Sequence, residues 1–399
     1  MKFALPRWRK VWMQVHWFAG ITLGTVVMAI GLTGAVLSFR EEILDALNPG
    51  GRHVAQRSGQ AVLSPPQLLQ AVRQAFGERP VGTLAVFAEP GVAARVIFAP
   101  RAGETRGDTV YLDPYSGTAL PALKGAEFFE WTEGLHRWLL LPREPGRVAT
   151  GVLAAGLLLL ALSGLYLRWP KRIADWRAWF TVDPALKGRA FLRSLHLVLG
   201  TYALPMYVVF TATGLYWAFD AVRDRVDAWV GEVRPARQAA AGAAGSASGA
   251  AAGSAPRARM TPRADAAAVD IAPAWEVFQA RAGATGGWRE VILRVPAGKS
   301  PTVLFTWLDA DPEHERARNR MLVKLPDAAL VQDERHRDKG RGARFVAAIY
   351  PLHMGTYFGL PGRIAMLLAA LSLPLFGVTG WMLYLDRRRR KRAAAALRA

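Results

Sequence analysis

The chain alternates long apolar stretches with longer polar segments. Each of four stretches contains no Lys, Arg, Asp or Glu: residues 11–39, 148–167, 194–219 and 364–385. They are 29, 20, 26 and 22 residues long, and a helix needs about 20 residues to cross the hydrocarbon core of a bilayer. The pattern therefore predicts a membrane protein with four transmembrane helices. We expect the first helix to be retained, because its apolar run is too long for a signal peptide and ends at Ser38-Phe39-Arg40-Glu41 rather than at a small-residue cleavage site.

The polar segments between these stretches predict the domain organisation. In the first half we expect a cytoplasmic stub and first helix over residues 1–39, a periplasmic domain over 40–147 and a second helix over 148–167. A basic cytoplasmic loop over 168–193 follows. In the second half we expect a third helix over 194–219, a second periplasmic domain over 220–363, and a last helix with a basic tail over 364–399. Each periplasmic segment contains one amphipathic helix pattern and then three strand-like runs, which is typical of a small α+β domain. An Ala/Gly/Ser tract at residues 239–255 predicts a flexible linker in the second one.

The distribution of charge predicts the orientation. The chain has 51 Lys and Arg against 31 Asp and Glu, a net charge of +20. Residues 1–14, 168–193 and 386–399 together hold 18 basic and three acidic side chains, and so carry +15 of that charge. The positive-inside rule places these segments and both termini in the cytoplasm. We therefore expect a multi-pass protein of the bacterial inner membrane, with the lipid bilayer and not nucleic acid as its partner.

The two halves of the chain resemble each other. His16-Trp17-Phe18-Ala19-Gly20 is similar to His196-Leu197-Val198-Leu199-Gly200, and Thr33-Gly34 and Thr213-Gly214 each follow 17 residues after the His. Leu135-His136 and Leu352-His353 are each followed by Pro-Gly-Arg, and Ser163-Gly164 and Thr379-Gly380 follow later. Because both halves run in the same direction, the four helices are expected to form a bundle built as a parallel tandem repeat.

Histidine is the candidate ligand residue that recurs at matching positions in the two halves. The chain contains seven His and no Cys, which excludes disulfides, iron–sulfur clusters and thiolate-bound haem. Three of the seven lie in polar loop contexts and are expected at the surface: His53, His314 and His336. The other four occupy repeated positions: His16, His196, His136 and His353. The topology predicts two pairs, His16 with His196 near the cytoplasmic side and His136 with His353 near the outer side.

These pairs have two interpretations. Each His could simply bond a neighbouring helix or lie in the interfacial zone. Polar side chains within a membrane are expensive, however, so four of them paired by depth favour metal ligation. Zinc usually takes a further ligand or a water, whereas two imidazoles complete the axial ligands of a haem iron.

Glycine and arginine near the histidines have two interpretations as well. Gly20 and Gly200 lie one turn after His16 and His196, where a flat macrocycle would need a missing side chain. Small-residue helix packing explains them equally well. Arg147 and Arg363 at the outer helix ends could pair with haem propionates or could be snorkelling anchors.

Several motifs together resemble the PepSY-associated transmembrane family: Trp12–Gly20, Thr33-Gly34, Gly134-Leu135-His136, Arg193-Ser194-Leu195-His196, Thr213–Tyr216 and the run Val110–Gly117. The resemblance implies two PepSY-like periplasmic domains and two haem b groups, on His16 with His196 and on His136 with His353. It also implies electron transfer from a separate cytoplasmic donor, reduced flavin or a flavodoxin-like protein, to a periplasmic ferric chelate or siderophore. The second polar segment lacks the Asp-Pro turn of the first.

The leading hypothesis is therefore a haem-containing ferric-chelate reductase of iron acquisition, without acid–base catalytic residues. The alternative is a PepSY protein without redox activity that binds or inhibits a periplasmic peptidase or senses the envelope. A transporter of a metal chelate is a third possibility. It is less favoured, because only Pro205 and Pro374 interrupt the apolar helices.

Overall fold

A computed structural model describes residues 7–101, 107–170, 172–231, 270–295, 302–325 and 327–397. These residues fall into two compact units. The helical unit comprises the described residues up to 39, from 128 to 231 and from 349 onward; the sheet unit comprises those of 40–127 and 270–348. The linker predicted at residues 239–255 lies outside the described residues.

The secondary structure follows the order α1 Arg7–Thr22, α2 Gly24–Leu37, α3 Arg40–Leu47, α4 Pro65–Phe76, β1 Val81–Phe87, β2 Ala94–Phe98, β3 Thr109–Leu112, α5 Ala126–Trp138, α6 Arg143–Arg168, α7 Trp176–Phe180, α8 Gly188–Ala218, α9 Asp220–Trp229, α10 Ala272–Gly283, β4 Trp288–Arg294, β5 Thr302–Asp309, β6 Asn319–Lys324, β7 Ala329–Glu334, α11 Arg341–Met354 and α12 Gly359–Ala396. Single 3₁₀ turns occupy His336–Asp338 and Thr356–Phe358.

Three helices of the described chain are long and apolar enough to cross a membrane: α6, α8 and α12 with the turn before it. The fourth predicted span consists of two helices, α1 and α2, which meet at an angle of 60°. The Thr22 hydroxyl donates to the Phe18 carbonyl at 2.9 Å, a type of bond that bends helices, and Gly24 begins α2 with little intrinsic helix preference. The described chain therefore has three candidate spans, or four if the bent pair counts as one.

Four helices of the helical unit share a buried apolar core. Its members come from α2, α6, α8 and α12: Val27, Leu153, Ala203, Tyr207, Ala369 and Leu373. Small residues allow close approach, as at Gly156, where a Cβ atom would collide with the Leu23 side chain. This apolar core lies between the two ends of the helix bundle and separates the side chains at one end from those at the other.

Polar contacts show which helix ends lie together. The Arg9 guanidinium donates to the Leu167 carbonyl at 2.6 Å, and Arg189 pairs with Asp386 at 3.3 Å. The Trp17 ring of α1 also stacks on the Tyr384 ring of α12, with centroids 5.2 Å apart. The start of α1, the end of α6, the start of α8 and the end of α12 therefore share one end of the bundle, which we call the basic end. The assignment of both termini and the loop before α8 to one side of a membrane stays a prediction.

The sheet unit contains one seven-stranded antiparallel sheet in the order β3-β2-β1-β4-β5-β6-β7. Strand β1 pairs with β4, for example Ala85 with Ile292, so strands from both polar segments form one sheet. Helices α4 and α10 pack on it and share a single core that includes Leu68, Phe278 and Phe305. The sequence analysis predicted two separate domains at 40–147 and 220–363. The structure joins their strands instead, because β1 and β4 each complete the hydrogen bonding of the other's exposed edge.

Two of the three histidines expected at the surface are buried. His314 is 5% exposed and His336 is 4% exposed, so the prediction for these two residues was wrong. Their rings lie 5.5 Å apart, and the Asn319 side chain accepts the backbone N–H of His336 at 2.7 Å. Tertiary packing thus buries imidazoles that a charged local sequence suggested were solvated.

Candidate functional site

The four histidines at repeated positions form two pairs within the helical unit. The ring centroids of His16 and His196 are 6.4 Å apart, with an angle of 77° between the ring planes. Those of His136 and His353 are 6.3 Å apart, with an angle of 70°. The pairs therefore have nearly the same geometry, although the residues come from four different helices: α1, α8, α5 and α11.

This separation is the one that a shared metal ion requires. A metal–imidazole bond is about 2 Å long, so two such bonds on opposite sides of one ion place the two ring centroids about 6 Å apart. Rings in van der Waals contact alone adopt separations of about 4.5–7 Å, so the distance by itself is compatible with simple packing as well. The hydrogen bonds of the rings show which ring nitrogen each His leaves available.

Each ring is held at its Nδ1 atom by a hydroxyl group of a neighbouring helix. The Nδ1–oxygen distances are 2.8 Å from His16 to Ser163, 2.8 Å from His196 to Thr379, 3.1 Å from His136 to Thr33 and 2.7 Å from His353 to Thr213. Because Nδ1 is occupied in all four, the Nε2 atom is the nitrogen left to bind another group.

Each of these hydroxyl groups also lies within hydrogen-bond distance of a main-chain carbonyl, which bears on the tautomer of the imidazole. Thr213 donates to the Val209 carbonyl at 2.6 Å, and Thr379 donates to the Leu375 carbonyl at 2.8 Å. Ser163 and Thr33 donate in the same way to Leu160 and Ala29. A hydroxyl that donates its single proton to a carbonyl can only accept from the imidazole. This arrangement favours the tautomer with the hydrogen on Nδ1 and the lone pair on Nε2.

His136 supplies independent support for this tautomer. Its Nδ1 also lies 3.0 Å from the Ile30 carbonyl oxygen, which can accept a hydrogen bond but cannot donate one. A neutral imidazole with Nδ1–H held by the protein and Nε2 free is the arrangement that metal-ligating histidines show.

The hydroxyl contacts of the first half of the chain correspond to those of the second half. In the first half α6 holds His16 and α2 holds His136; in the second half α12 holds His196 and α8 holds His353. Hydroxyl contacts thus form within a half, whereas each His pair is made across the two halves.

The sequence analysis missed the role of the four hydroxyl groups. Their signal was present as the recurring dipeptides Thr33-Gly34, Ser163-Gly164, Thr213-Gly214 and Thr379-Gly380, which served only as markers of the repeat. The spacing of 17 residues from His16 to Thr33 suggests a relation between these two residues, yet Thr33 bonds His136 of another helix. Spacing along one chain does not reveal which helices face each other.

Two glycines lie against histidine rings; they differ from Gly20 and Gly200, whose place beside a haem stays a prediction. A Cβ atom at Gly34 would lie 3.0 Å from Cε1 of His136, and one at Gly164 would lie 3.3 Å from Cε1 of His16. At Gly20 and Gly200 a Cβ atom would make only ordinary contacts, at 3.7 Å with Leu160 and 3.8 Å with Phe376. Gly34 and Gly164 are therefore the glycines that give a histidine ring its room.

Aromatic side chains pack against the second histidine of each pair. The Phe376 ring centroid lies 4.9 Å from that of His196. The ring centroids of Trp217 and Phe210 lie 5.1 Å and 5.6 Å from that of His353. These rings border the pairs with apolar surface and limit the access of water.

The two predicted arginines have partners from the protein itself. Arg147 pairs with Glu144 at 2.9 Å and with Asp220 at 3.1 Å. Arg363 donates to the Ser38 carbonyl at 2.6 Å, and its guanidinium lies 4.4 Å from the centre of the Phe39 ring. Both stand at helix ends opposite the basic end, as predicted, and their binding of haem propionates stays a prediction.

The donor set fits a group that brings its own equatorial ligands. Among the described residues, no cluster of three or more His, Cys, Asp or Glu could hold a bare metal ion. A pair of neutral imidazoles is, however, the complete axial set of a bis-histidine haem. Within the described chain the Trp17 indole N–H is also buried without an acceptor, next in sequence to His16, as expected beside a bound group with polar substituents.

Comparison with known protein families gives one match. The family model described as "PepSY-associated TM region" matches residues 13–387, nearly the whole chain. All four paired histidines and their four hydroxyl partners lie within the matched range. No curated protein matches the chain.

Proposed function

The chain belongs to the PepSY-associated TM family, and from this premise we propose that it transfers electrons across the membrane through two haem b groups. His16 and His196 would hold the haem at the basic end. His136 and His353 would hold the other haem. The electron acceptor in this proposal is a ferric chelate such as a ferric siderophore, so the activity is that of a ferric-chelate reductase.

One observation carries this proposal. Each His pair has a ring separation compatible with two ligands of one iron, and each of the four rings is held at Nδ1 by a hydroxyl that also contacts a main-chain carbonyl. Structural histidines require no particular tautomer. Four rings bonded at Nδ1, which leaves Nε2 available, and arranged in two pairs would fit iron ligation.

The residues of the chain perform the binding and insulation. When bound, each haem supplies a one-electron Fe(III)/Fe(II) couple. The hydroxyl groups orient the imidazoles, Phe376 and Trp217 cover them, and the apolar core of the bundle separates the two pairs. No acid or base is needed, because electron transfer to a ferric complex moves no proton at the protein.

The charge distribution supports a direction for the electrons. The basic end carries most of the positive charge, which we assign to the cytoplasmic face of the bacterial inner membrane. A separate cytoplasmic donor, reduced flavin or a flavodoxin-like protein, would then supply electrons at His16 and His196. The ferric chelate would accept them on the periplasmic side, and the weaker Fe(II) complex would release its iron.

Absorption spectroscopy of the purified full-length protein tests the proposal. We expect a Soret band and an α band of b type that shift on reduction, with two haems per chain. The variants His196→Ala and His353→Ala should each lose one of the two haems and keep the other. The variant His53→Ala removes an exposed imidazole and should keep both.

Two results would contradict the proposal. A haem-free protein of normal stability from haem-replete cells would exclude haem as the cofactor. Retention of both haems in His196→Ala and His353→Ala would exclude these residues as ligands. Recovery of a bound peptidase with haem-free protein would instead favour the binding module without redox activity.

A further inference from the structure

The basic end of the helical unit contains a cavity of about 610 Å³. Its lining comes from the end of α6, from α7 and the loop after it, and from the start of α8. The volume lies within the range of about 300–1,000 Å³ that is typical of small-molecule sites. The cavity is therefore large enough for an organic ligand and not only for solvent ions.

Three arginines give the cavity a cationic lining: Arg168, Arg177 and Arg193. Arg168 donates to the carbonyls of Ala178 and Trp179 and so fixes α7, while its Nε atom is buried with no acceptor among the described residues. Within the described chain, no acidic side chain forms an ion pair with Arg177 or Arg193. These guanidinium groups offer the forked donors that phosphate groups bind.

The acidic residues of the lining have other partners. One oxygen of Asp175 accepts the backbone N–H of Ala178 at 3.2 Å, and one oxygen of Asp183 accepts that of Ala185 at 2.9 Å. Each carboxylate thus stabilises a local turn. Neither forms an ion pair with an arginine of the lining among the described residues, so the site keeps an excess of positive donors.

The remaining lining is apolar and adjoins a candidate haem ligand. Leu186, Ala190, Leu197 and Val198 supply aliphatic surface. Arg193 lies three residues before His196 on α8, which places it about one turn away on the same side of the helix. A ligand in this cavity with its phosphate on the arginines would hold its organic part near the first His pair.

We propose that this cavity binds a phosphate-bearing organic electron donor, for which flavin mononucleotide (FMN) is the probe. This inference rests on the proposed function and names the class of its donor. Oxidation of one reduced flavin to the oxidised form releases two electrons and two protons. The electrons reduce two ferric irons to ferrous, one at a time, and the protons go to the surrounding water.

Equilibrium dialysis of the full-length protein in nanodiscs of zwitterionic lipid tests this assignment without any measurement of activity. We expect one FMN bound per chain and at least tenfold weaker binding of riboflavin, which lacks the phosphate. The variant Arg193→Gln should weaken FMN binding about tenfold and leave riboflavin binding unchanged. The matched control Arg389→Gln removes one charge from the exposed tail and should leave both affinities unchanged. The absorption and thermal unfolding of each variant verify that it is folded.

Three results would overturn the assignment. The first is equal binding of FMN and riboflavin, or no binding. The second is an equal loss in Arg193→Gln and Arg389→Gln, which indicates unspecific attraction to the basic end. The third is displacement of FMN by phosphatidylglycerol added to the nanodiscs, which assigns the arginines to a lipid phosphate. Because FMN binding is measured independently of haem content, its failure leaves the proposal of haem-based electron transfer to be judged on the spectra alone.

Discussion

Thr213 differs from Thr211, two residues earlier on α8, in one decisive contact. Both hydroxyls donate to carbonyls of the preceding turn, and both side chains are buried. Only Thr213 also contacts an imidazole, that of His353, at 2.7 Å. Substitution of each threonine in turn therefore distinguishes the loss of a hydrogen bond to a candidate ligand from the loss of a buried hydroxyl group.

The variant Thr213→Val should weaken haem binding at the His136–His353 pair by about 10–100-fold, because loss of a ligand's hydrogen-bond partner typically costs this much. We expect the midpoint potential of that haem to shift, and the haem at the other pair to keep its potential. Redox titration with haem quantification measures both.

The variant Thr211→Val is the matched control and should keep both haems and both potentials. If Thr213→Val behaves like Thr211→Val, the hydroxyl does not position the ligand. A loss of both haems in Thr213→Val would indicate general misfolding instead.

The buried pair His314 and His336 gives the sheet unit a dependence on pH. Burial lowers the pKa of both imidazoles below the usual value of 6.5. The charged groups that act on them are Glu313, Glu315, Lys339 and Arg344. The unfolded chain therefore binds protons at a higher pH than the folded chain does.

It follows that the free energy of unfolding should be at its highest above about pH 6.5 and should fall as the pH drops below it. Replacement of one imidazole by a ring that does not titrate, His336→Phe, should reduce this slope. Urea unfolding of the full-length protein at pH 8 and pH 5, followed by tryptophan fluorescence, measures it. An unchanged slope in the variant would show that His336 does not contribute.

At the scale of elements, α2 and α12 approach each other through glycine. A Cβ atom at Gly31 would lie 2.9 Å from the carbonyl oxygen of Ala370 and 2.7 Å from the Leu373 side chain. A backbone carbonyl cannot rotate away as a side chain can, so the two helices would have to separate.

The variant Gly31→Ala should therefore destabilise the helical unit by about 1–3 kcal/mol, the usual cost of overpacking. Gly380→Ala on α12 is the matched control, since a Cβ atom there meets nothing within 4 Å. It should be neutral or stabilising by up to about 1 kcal/mol through helix propensity. Thermal unfolding in detergent compares them, and equal melting temperatures would contradict the close packing.

The sequence was informative about elements whose signal is local. The apolar runs predicted α6, α8 and α12, and the amphipathic pattern of the first polar segment predicted a helix there, observed as α4, because span length and helical periodicity are properties of one segment. The bend after Thr22 and the pairing of β1 with β4 were not predicted. The bend involves a hydrogen bond from the Thr22 side chain to a carbonyl. The pairing joins strands about 200 residues apart. Neither interaction produces a periodic pattern in the sequence. For the same reason the sequence suggested the His pairs from the repeat but could not assign the hydroxyl partners.

At the scale of the whole molecule, the charge distribution predicts one orientation. The basic end groups α1 with the end of α12, and the positive-inside rule assigns it to the cytoplasm. A green fluorescent protein fused after residue 399 should therefore fluoresce, and alkaline phosphatase fused there should be inactive. A phosphatase fusion in the segment 107–125 should be active as the opposite control. An active C-terminal phosphatase would contradict this orientation.

The sheet shared by two distant segments has a consequence for biosynthesis. Phe87 at the end of β1 pairs with Glu290 of β4, and a ribosome that adds about 5–20 residues per second needs about 10–40 s to make the chain between them. During this interval β1 presents an open edge, the kind of surface that pairs with other nascent chains. We therefore expect slow or stalled synthesis between α6 and β4 to favour aggregation, because half of the sheet then waits longer for its partner strands.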